Sequence, residues 1–195
     1  MLPNVVDQYR LELSTKARNG TNFLAAATLV WLLIAGIWAL LPYGPTMKSF
    51  ITFFAGCLVL PLAYLLGRLM GAAWTVPDNP LQPLGLWLNF AQLFYFPVLI
   101  FAYMRAPEHF LMTYGIITGA HFFPYAWLYL TPAYAVGAGL IAGGCLVLQL
   151  TAAPAQPYLI PVFVALSLAG LAGLVYAASR RNAARYHAAR PAVPA

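Results

Sequence analysis

The sequence predicts an all-α, polytopic integral membrane protein: six transmembrane helices preceded by an N-terminal amphipathic interfacial helix. Three observations carry this. Of the 195 residues, 63% are hydrophobic and only 7% charged, against about 45–50% and about 25% in soluble domains. Mean hydropathy is +0.78, so the apolar excess is spread along the chain rather than held in one anchor. Six apolar runs, each near the roughly 20 residues that cross a hydrocarbon core, alternate with Pro, Gly and charged punctuation.

The first 20 residues do not make a span. Leu2, Val5, Val6, Tyr9 and Leu13 recur at helical spacing on one face, with Asp7, Arg10, Ser14 and Lys16 elsewhere. That pattern suits a short helix lying on the inner membrane surface and ended by Gly20, the alternative being a frayed polar leader. The first apolar stretch begins only after Gly20 and is long enough to span, so no cleavable signal peptide is expected. The first span covers residues 22–41 and stops at Pro42-Tyr43-Gly44-Pro45; the second covers 49–69, bounded by Lys48 and Arg68. A turn-rich stretch with Pro77, Pro80 and Pro83 precedes the third, 84–104, which halts at Arg105. Pro107-Glu108 restarts the chain as a first helical turn does, and the fourth span follows at 110–130, the fifth at 133–153 and the sixth at 158–179. A continuous helix over 110–153 would be about 66 Å long, twice a hydrocarbon core, so it must break. Thr131 as N-cap and Pro132 at the first helical position supply the break, and Tyr125, Trp127, Tyr129 and Tyr134 around it read as an interfacial aromatic belt.

Six spans place both termini on one side. Arg10, Lys16, Arg18, Arg68, Arg180, Arg181, Arg185 and Arg190 fall on that side, and Lys48 and Arg105 on the other. The positive-inside rule then puts both termini on the cytoplasmic side of the membrane. Residues 180–195, rich in Ala, Arg and Pro without apolar periodicity, read as a mobile basic tail. The chain therefore divides into a leader (1–20), a six-helix domain (21–179) and the tail. Its partners are the lipid bilayer, with anionic headgroups at both termini. The net charge of +6 does not point to nucleic acid, because the basic residues sit at the ends of apolar runs and not on a soluble face.

Four acidic residues, three histidines and two cysteines leave little for metal clusters or paired acid–base catalysis. Cys57 and Cys145 each lie inside a different apolar run, without a His or Cys at ligand spacing, and read as small hydrophobes. No catalytic residue, metal or cofactor is expected. Glu108-His109, at a helix start, is explained by the macrodipole.

The informative residues are polar ones at depth, which must face other helices or a water-filled cavity. On the fourth span Tyr114, Thr118, His121 and Tyr125 are spaced 4, 3 and 4, within an arc of about 60°. On the second, Cys57, Pro61, Tyr64 and Arg68 share one arc, and Pro61 frees a carbonyl one turn earlier. On the third, Asn89, Gln92 and Tyr103 share another, with Pro97 between them. By rise per residue, Arg68, Tyr64, Asn89, Gln92, Tyr125 and His121 all fall in the cytoplasmic half. The functional reading is an inward-opening polar pocket lined by His121, Tyr125, Thr118, Tyr114, Gln92, Asn89, Tyr64 and Arg68, with His121 its one group titrating near neutral pH. The structural alternative is that these residues satisfy one another across packed helices; for Arg68, it is snorkelling to lipid phosphates.

Gly115 and Gly119 form a separate strip where a neighbouring backbone can approach closely. Gly139 and Gly143 form a Gly-x-x-x-Gly pair that seats the fifth span on the sixth or on a second protomer, a route to a homo-oligomer. Gly170 and Gly173 add a further small surface.

The stretch Gly119-Ala120-His121-Phe122-Phe123-Pro124-Tyr125-Ala126-Trp127-Leu128-Tyr129, with the amphipathic leader feeding Asn22-Phe23-Leu24, resembles a family of small bacterial multi-pass membrane proteins defined only as a domain of unknown function. The resemblance covers the leader, the first span and the fourth. It implies a six-span protein without an established activity, and supplies no catalytic residue. The expectation is a protein that binds or transports a small or amphiphilic molecule through the pocket. The alternatives are a lipid-acting intramembrane enzyme using His121, which the scarcity of carboxylates disfavours, and a non-catalytic assembly subunit.

Overall fold

The computed structural model describes residues 4–189. Leu2 of the leader, and Arg190 with the end of the basic tail, lie outside them. Among the described residues the chain is all helical, with no strand.

Helix α1 (Val5–Lys16) is started by Asn4, whose side chain accepts from the Asp7 amide at 2.7 Å, and carries Asp7 and Lys16 at the ends the helix dipole favours. Leu11, Leu13 and Ser14 are buried while Val5 and Val6 are exposed. The buried face thus lies about 100° round from the one that Val5 and Val6 suggest, because α1 packs on protein. Arg18, Asn19 and Gly20 then turn the chain through three positive φ angles of 48°, 54° and 69°. Helix α2 (Thr21–Leu40) runs through the centre, burying Leu24, Val30, Trp31, Ile34 and Trp38, chiefly against α4 and α10.

Helices α3 (Pro45–Cys57) and α4 (Val59–Met70) form one rod with a break, as do α5 (Gln82–Leu93) and α6 (Phe96–Arg105), and then α7 (Phe110–Ala120) and α8 (Phe123–Leu128). The cause is the same in all three. Pro61, Pro97 and Pro124 lie four residues after Cys57, Leu93 and Ala120, the last residues before each break. A proline offers no amide hydrogen to the carbonyl one turn back, and its ring crowds that carbonyl. Helix α9 (Ala133–Thr151) follows α8 after a turn in which Leu130 takes φ 51°. The break at Thr131-Pro132 is where the sequence places it, but Thr131 is not a side-chain cap. Its hydroxyl donates to the Tyr129 carbonyl (2.9 Å) and accepts from Asn19 Nδ2 (3.0 Å), and Pro132 is the N-cap residue.

Helix α10 (Leu159–Ala189) continues ten residues past Ser179, where apolar periodicity ends. Its extension is held by α1: Asn182 Nδ2 donates to Ser14 Oγ (2.9 Å) and to the Tyr129 carbonyl (3.0 Å), and Tyr186 donates to Glu12 Oε1 (3.3 Å). Polar pairing in place of apolar burial is why the sequence pattern does not register it.

Glycines set the helix spacing. A Cβ on Gly119 would stand 2.8 Å from the Ile141 side chain, so α7 and α9 meet backbone to backbone as the Gly115/Gly119 strip predicts. Gly137 against Leu171 and Gly144 against Phe163 seat α9 on α10. Gly139 and Gly143 face open space, so the Gly-x-x-x-Gly pair does not make that contact. Among the described residues five segments are long and apolar enough to cross a membrane, 18–40, α3–α4, α5–α6, α9 and α10, and the expected fourth span, α7–α8, is not one of them.

Candidate functional site: an aromatic cavity beside the α7–α8 break

The end of the bundle that carries α1 is knitted together by polar contacts. The loop after α4 is tied to α1 by Ala73 N to Lys16 O (2.8 Å) and by Asn79 Nδ2, which donates to Tyr9 O (2.9 Å) and Glu12 Oε2 (2.8 Å). The Arg10 guanidinium lies 4.4 Å from the Trp127 ring centroid, donates to the Trp127 carbonyl, and pairs with Asp7 at 2.6 Å. Beneath this cap lies a cavity of about 240 Å³.

Its walls come from six parts of the chain, the first being Leu13 of α1 with Ala17 after it. Gly20, Asn22 and Phe23 stand at the start of α2, Trp74 on the loop after α4, and Gln82, Gly85, Leu86 and Asn89 on α5. The α7–α8 break contributes His121 and Phe122, and beyond it stand Tyr125, Leu128, Tyr129 and Tyr134. Tyr125, Tyr129 and Tyr134 pack ring on ring with centroids 5.8–6.1 Å apart, and Phe122 joins them at 6.0 Å from Tyr134. The Tyr134 hydroxyl donates to the Asn19 carbonyl, and the Tyr125 hydroxyl to Gly85 O at 3.3 Å, linking α8 to α5. These three tyrosines are therefore a cavity wall and not part of an interfacial belt. Only Trp127 of that group is exposed.

His121 sits at the break itself. Its Nδ1 is 2.7 Å from the Thr118 carbonyl, and since a carbonyl only accepts, Nδ1 carries the hydrogen. In the neutral ring Nε2 is then the acceptor.

Of the eight residues expected to line a pocket, the structure brings three to this cavity: His121, Tyr125 and Asn89. Asn89 donates to Gly85 O on its own helix at 3.0 Å. Thr118 is buried beside the cavity and contributes only its carbonyl. Tyr64 is exposed and reaches the site at second hand, edge-on to Trp74 at 5.5 Å. Tyr114 packs in the core on Trp31 at 5.1 Å. Gln92 is half-buried and Arg68 exposed, and neither lines the cavity. The stripe on the fourth run divides by depth: Tyr114 lies seven residues, about 10 Å, along the helix before His121 and packs on Trp31, while His121 and Tyr125 reach the cavity. Residues that pattern reasoning misses are Gly20, Asn22, Trp74, Gln82 and Tyr134. The signal for Trp74 and Gln82 lies in a loop dense in prolines, where no periodicity operates.

Residues 6–178 match a family of unknown function, DUF7010. The chain belongs to DUF7010. Every residue lining the cavity falls inside the matched region of this DUF7010 chain. No curated protein and no solved structure matches it.

Proposed function

We propose that this DUF7010 protein crosses a bacterial inner membrane six times with both termini in the cytoplasm, and that the cavity binds or passes a small or amphiphilic molecule. The observation that carries the binding reading is the cavity itself: about 240 Å³, walled by packed aromatic rings, with His121 on its lining and the ring's Nδ1 committed to the Thr118 carbonyl.

Support for a sixth crossing comes from α7 and α8. With His121 and Phe122 between them they cover residues 110–128, about 28 Å of helix against a core of about 30 Å. The rod is broken by proline as the α3–α4 and α5–α6 rods are, and broken helices at membrane depth recur where a protein lines a substrate path. Helix α10, at about 46 Å, is longer than the core, so its last turns rise into the interface with Arg180, Arg181 and Arg185. Helix α1 packs on that rising part with Arg10 and Lys16, which suits an interfacial helix on the cytoplasmic face. The cavity lies at this end, on the side proposed to be cytoplasmic. Among the described lining residues none is a carboxylate, and the Tyr125 and Tyr134 hydroxyls donate to backbone carbonyls, which favours binding over acid–base catalysis.

The test is native mass spectrometry of the full-length protein extracted in mild detergent. The wild type should carry a bound species. Leu86→Trp, at an exposed lining position, should lose it while keeping its helical circular dichroism and elution volume. Equal occupancy in the two proteins, or none in either, refutes the reading.

A further inference from the structure

This inference rests on the binding reading above and specifies what the cavity takes. We infer that the ligand is an uncharged, hydroxyl-bearing amphiphile that enters sideways from the bilayer past α5, its head on His121 and its tail left in lipid.

The charge of the ligand follows from the lining. Among the described residues that line the cavity none is Asp, Glu, Lys or Arg. An ion taken out of water into a site with no opposite charge is strongly disfavoured. The lining also presents an acceptor: with Nδ1 committed to the Thr118 carbonyl, Nε2 of the neutral ring is held ready for a donor. A hydroxyl satisfies it.

The amphiphilic character follows from size and from the position of the mouth. A cavity of about 240 Å³ falls below the roughly 300–1,000 Å³ that enclose a drug-sized ligand, so it takes a head and leaves the rest of the molecule outside. The exposed members of the lining are Ala73, Trp74 and Thr75 on the loop and Leu86 and Asn89 on α5. Leu86 and Asn89 lie about 6 and 10 Å along the helix from Gln82, so the mouth runs from the headgroup level into the acyl region. At its outer edge Trp74 stacks on Phe23 at 5.4 Å, an aromatic pair of the kind that sits at the lipid interface.

The wall on that side is also the one least held by the rest of the protein. In the α5–α6 rod 6% of the apolar window is buried, against 22–44% in the other four long segments, and α5 has no buried residue of its own. The Tyr125 hydroxyl on Gly85 O is the side-chain hydrogen bond that joins α5 to α8. A wall with so few partners can lean away from α2 without disturbing the core, which admits a lipid-borne molecule without passage through water.

The experiment uses the full-length protein in phosphatidylcholine nanodiscs, photolabelled by a monoacylglycerol carrying a diazirine near its ester. Label should map to α5 and to the segment around Trp74, saturate, and be competed by 1-oleoylglycerol. Oleate, assayed at about pH 9 so that it stays ionised in the bilayer, should compete about tenfold or more weakly, the ratio that 1.4 kcal/mol produces. Free glycerol should not compete. His121→Phe, which keeps the ring and removes the acceptor, should weaken labelling about fivefold, the share of one hydrogen bond; His121→Gln, which restores an acceptor, should recover it. Competition by glycerol as strong as by 1-oleoylglycerol overturns lateral entry, equal competition by oleate overturns neutrality, and unchanged labelling in His121→Phe overturns the head contact. If no probe competes while the wild type still carries a bound species that Leu86→Trp loses, this inference fails and the binding reading stands. If that species is also missing, both fail.

Discussion

The close approach of α7 to α9 at Gly119 offers a sharp test of the packing. Gly119→Ala would place a Cβ 2.8 Å from Ile141 Cβ and Cγ2 and 3.0 Å from the Ala142 amide nitrogen. None of these atoms is the far end of a flexible side chain, so α7 and α9 must separate by several tenths of an ångström. Overpacking of this kind costs about 1–3 kcal/mol, and the better helix propensity of Ala returns at most about 1 kcal/mol. The net expectation is destabilisation of up to about 2 kcal/mol, or about 4–8 °C in midpoint for a chain this size. Gly139→Ala on α9 is the matched control, because nothing lies within 4 Å of its added Cβ; it should hold or raise the midpoint. The assay is thermal unfolding in one detergent, followed by fluorescence-detected size exclusion. Equal midpoints for the two variants would show that α7 and α9 are not in backbone contact, and would remove the reason for placing His121 where it is.

The remaining predictions concern the polar cap, the orientation and the break. Glu12 is pushed up by burial and pulled down further by Lys16, Asn79 and Tyr186, so its folded pKa lies below the ordinary 4.5; its stabilising share is present above pH 4.5 and lost as pH falls through the lower folded value. Protection factors across α1, which divide out the intrinsic pH dependence of amide exchange, should therefore fall on acidification below that point, and Glu12→Gln should flatten the dependence. Asn182→Ala removes two hydrogen bonds at a buried position and should cost about 1–3 kcal/mol, read as faster proteolysis of α1. Reporter fusions after Gly20 and after Ala195 should both be cytoplasmic, and a periplasmic signal at either would reverse the proposed orientation. Pro124→Ala restores an amide donor to the Ala120 carbonyl; spin labels on α7 and α8 should report a straightened rod, and the bound species should be lost.

Much of the helix plan is legible in the sequence because apolar runs and prolines act locally. The six expected runs coincide with α2, α3–α4, α5–α6, α7–α8, α9 and α10 to within a few residues at most of their ends. The conflict comes where a local rule reaches its limit. Spacing of 4, 3 and 4 puts Tyr114 and His121 on one face but says nothing of depth: seven residues carry Tyr114 about 10 Å along the helix, where it packs on Trp31 and not at the cavity. The polar cap is illegible for a different reason. Ser14, Asn79 and Asn182 are ordinary polar residues on short or basic segments, and they become a connected set only through contacts across 67 to 168 residues of chain. Tyr134 reads as an interface residue by its neighbours, while its hydroxyl is satisfied by the Asn19 carbonyl inside the fold.

The pairing of α2 with α10 sets an order for biosynthesis. The first long helix to leave the ribosome packs chiefly against the last. Until α10 is made, Asn19 Nδ2 lacks the Val175 carbonyl, 156 residues downstream, and Ser14 lacks Asn182, 168 residues downstream. Every nascent intermediate therefore carries an open seam with unpaired amides along it, and only the final segment closes the ring. Quality control by membrane proteases has a simple mark to read in such a chain: a protein stalled or truncated before residue 159 exposes the same seam for as long as it exists.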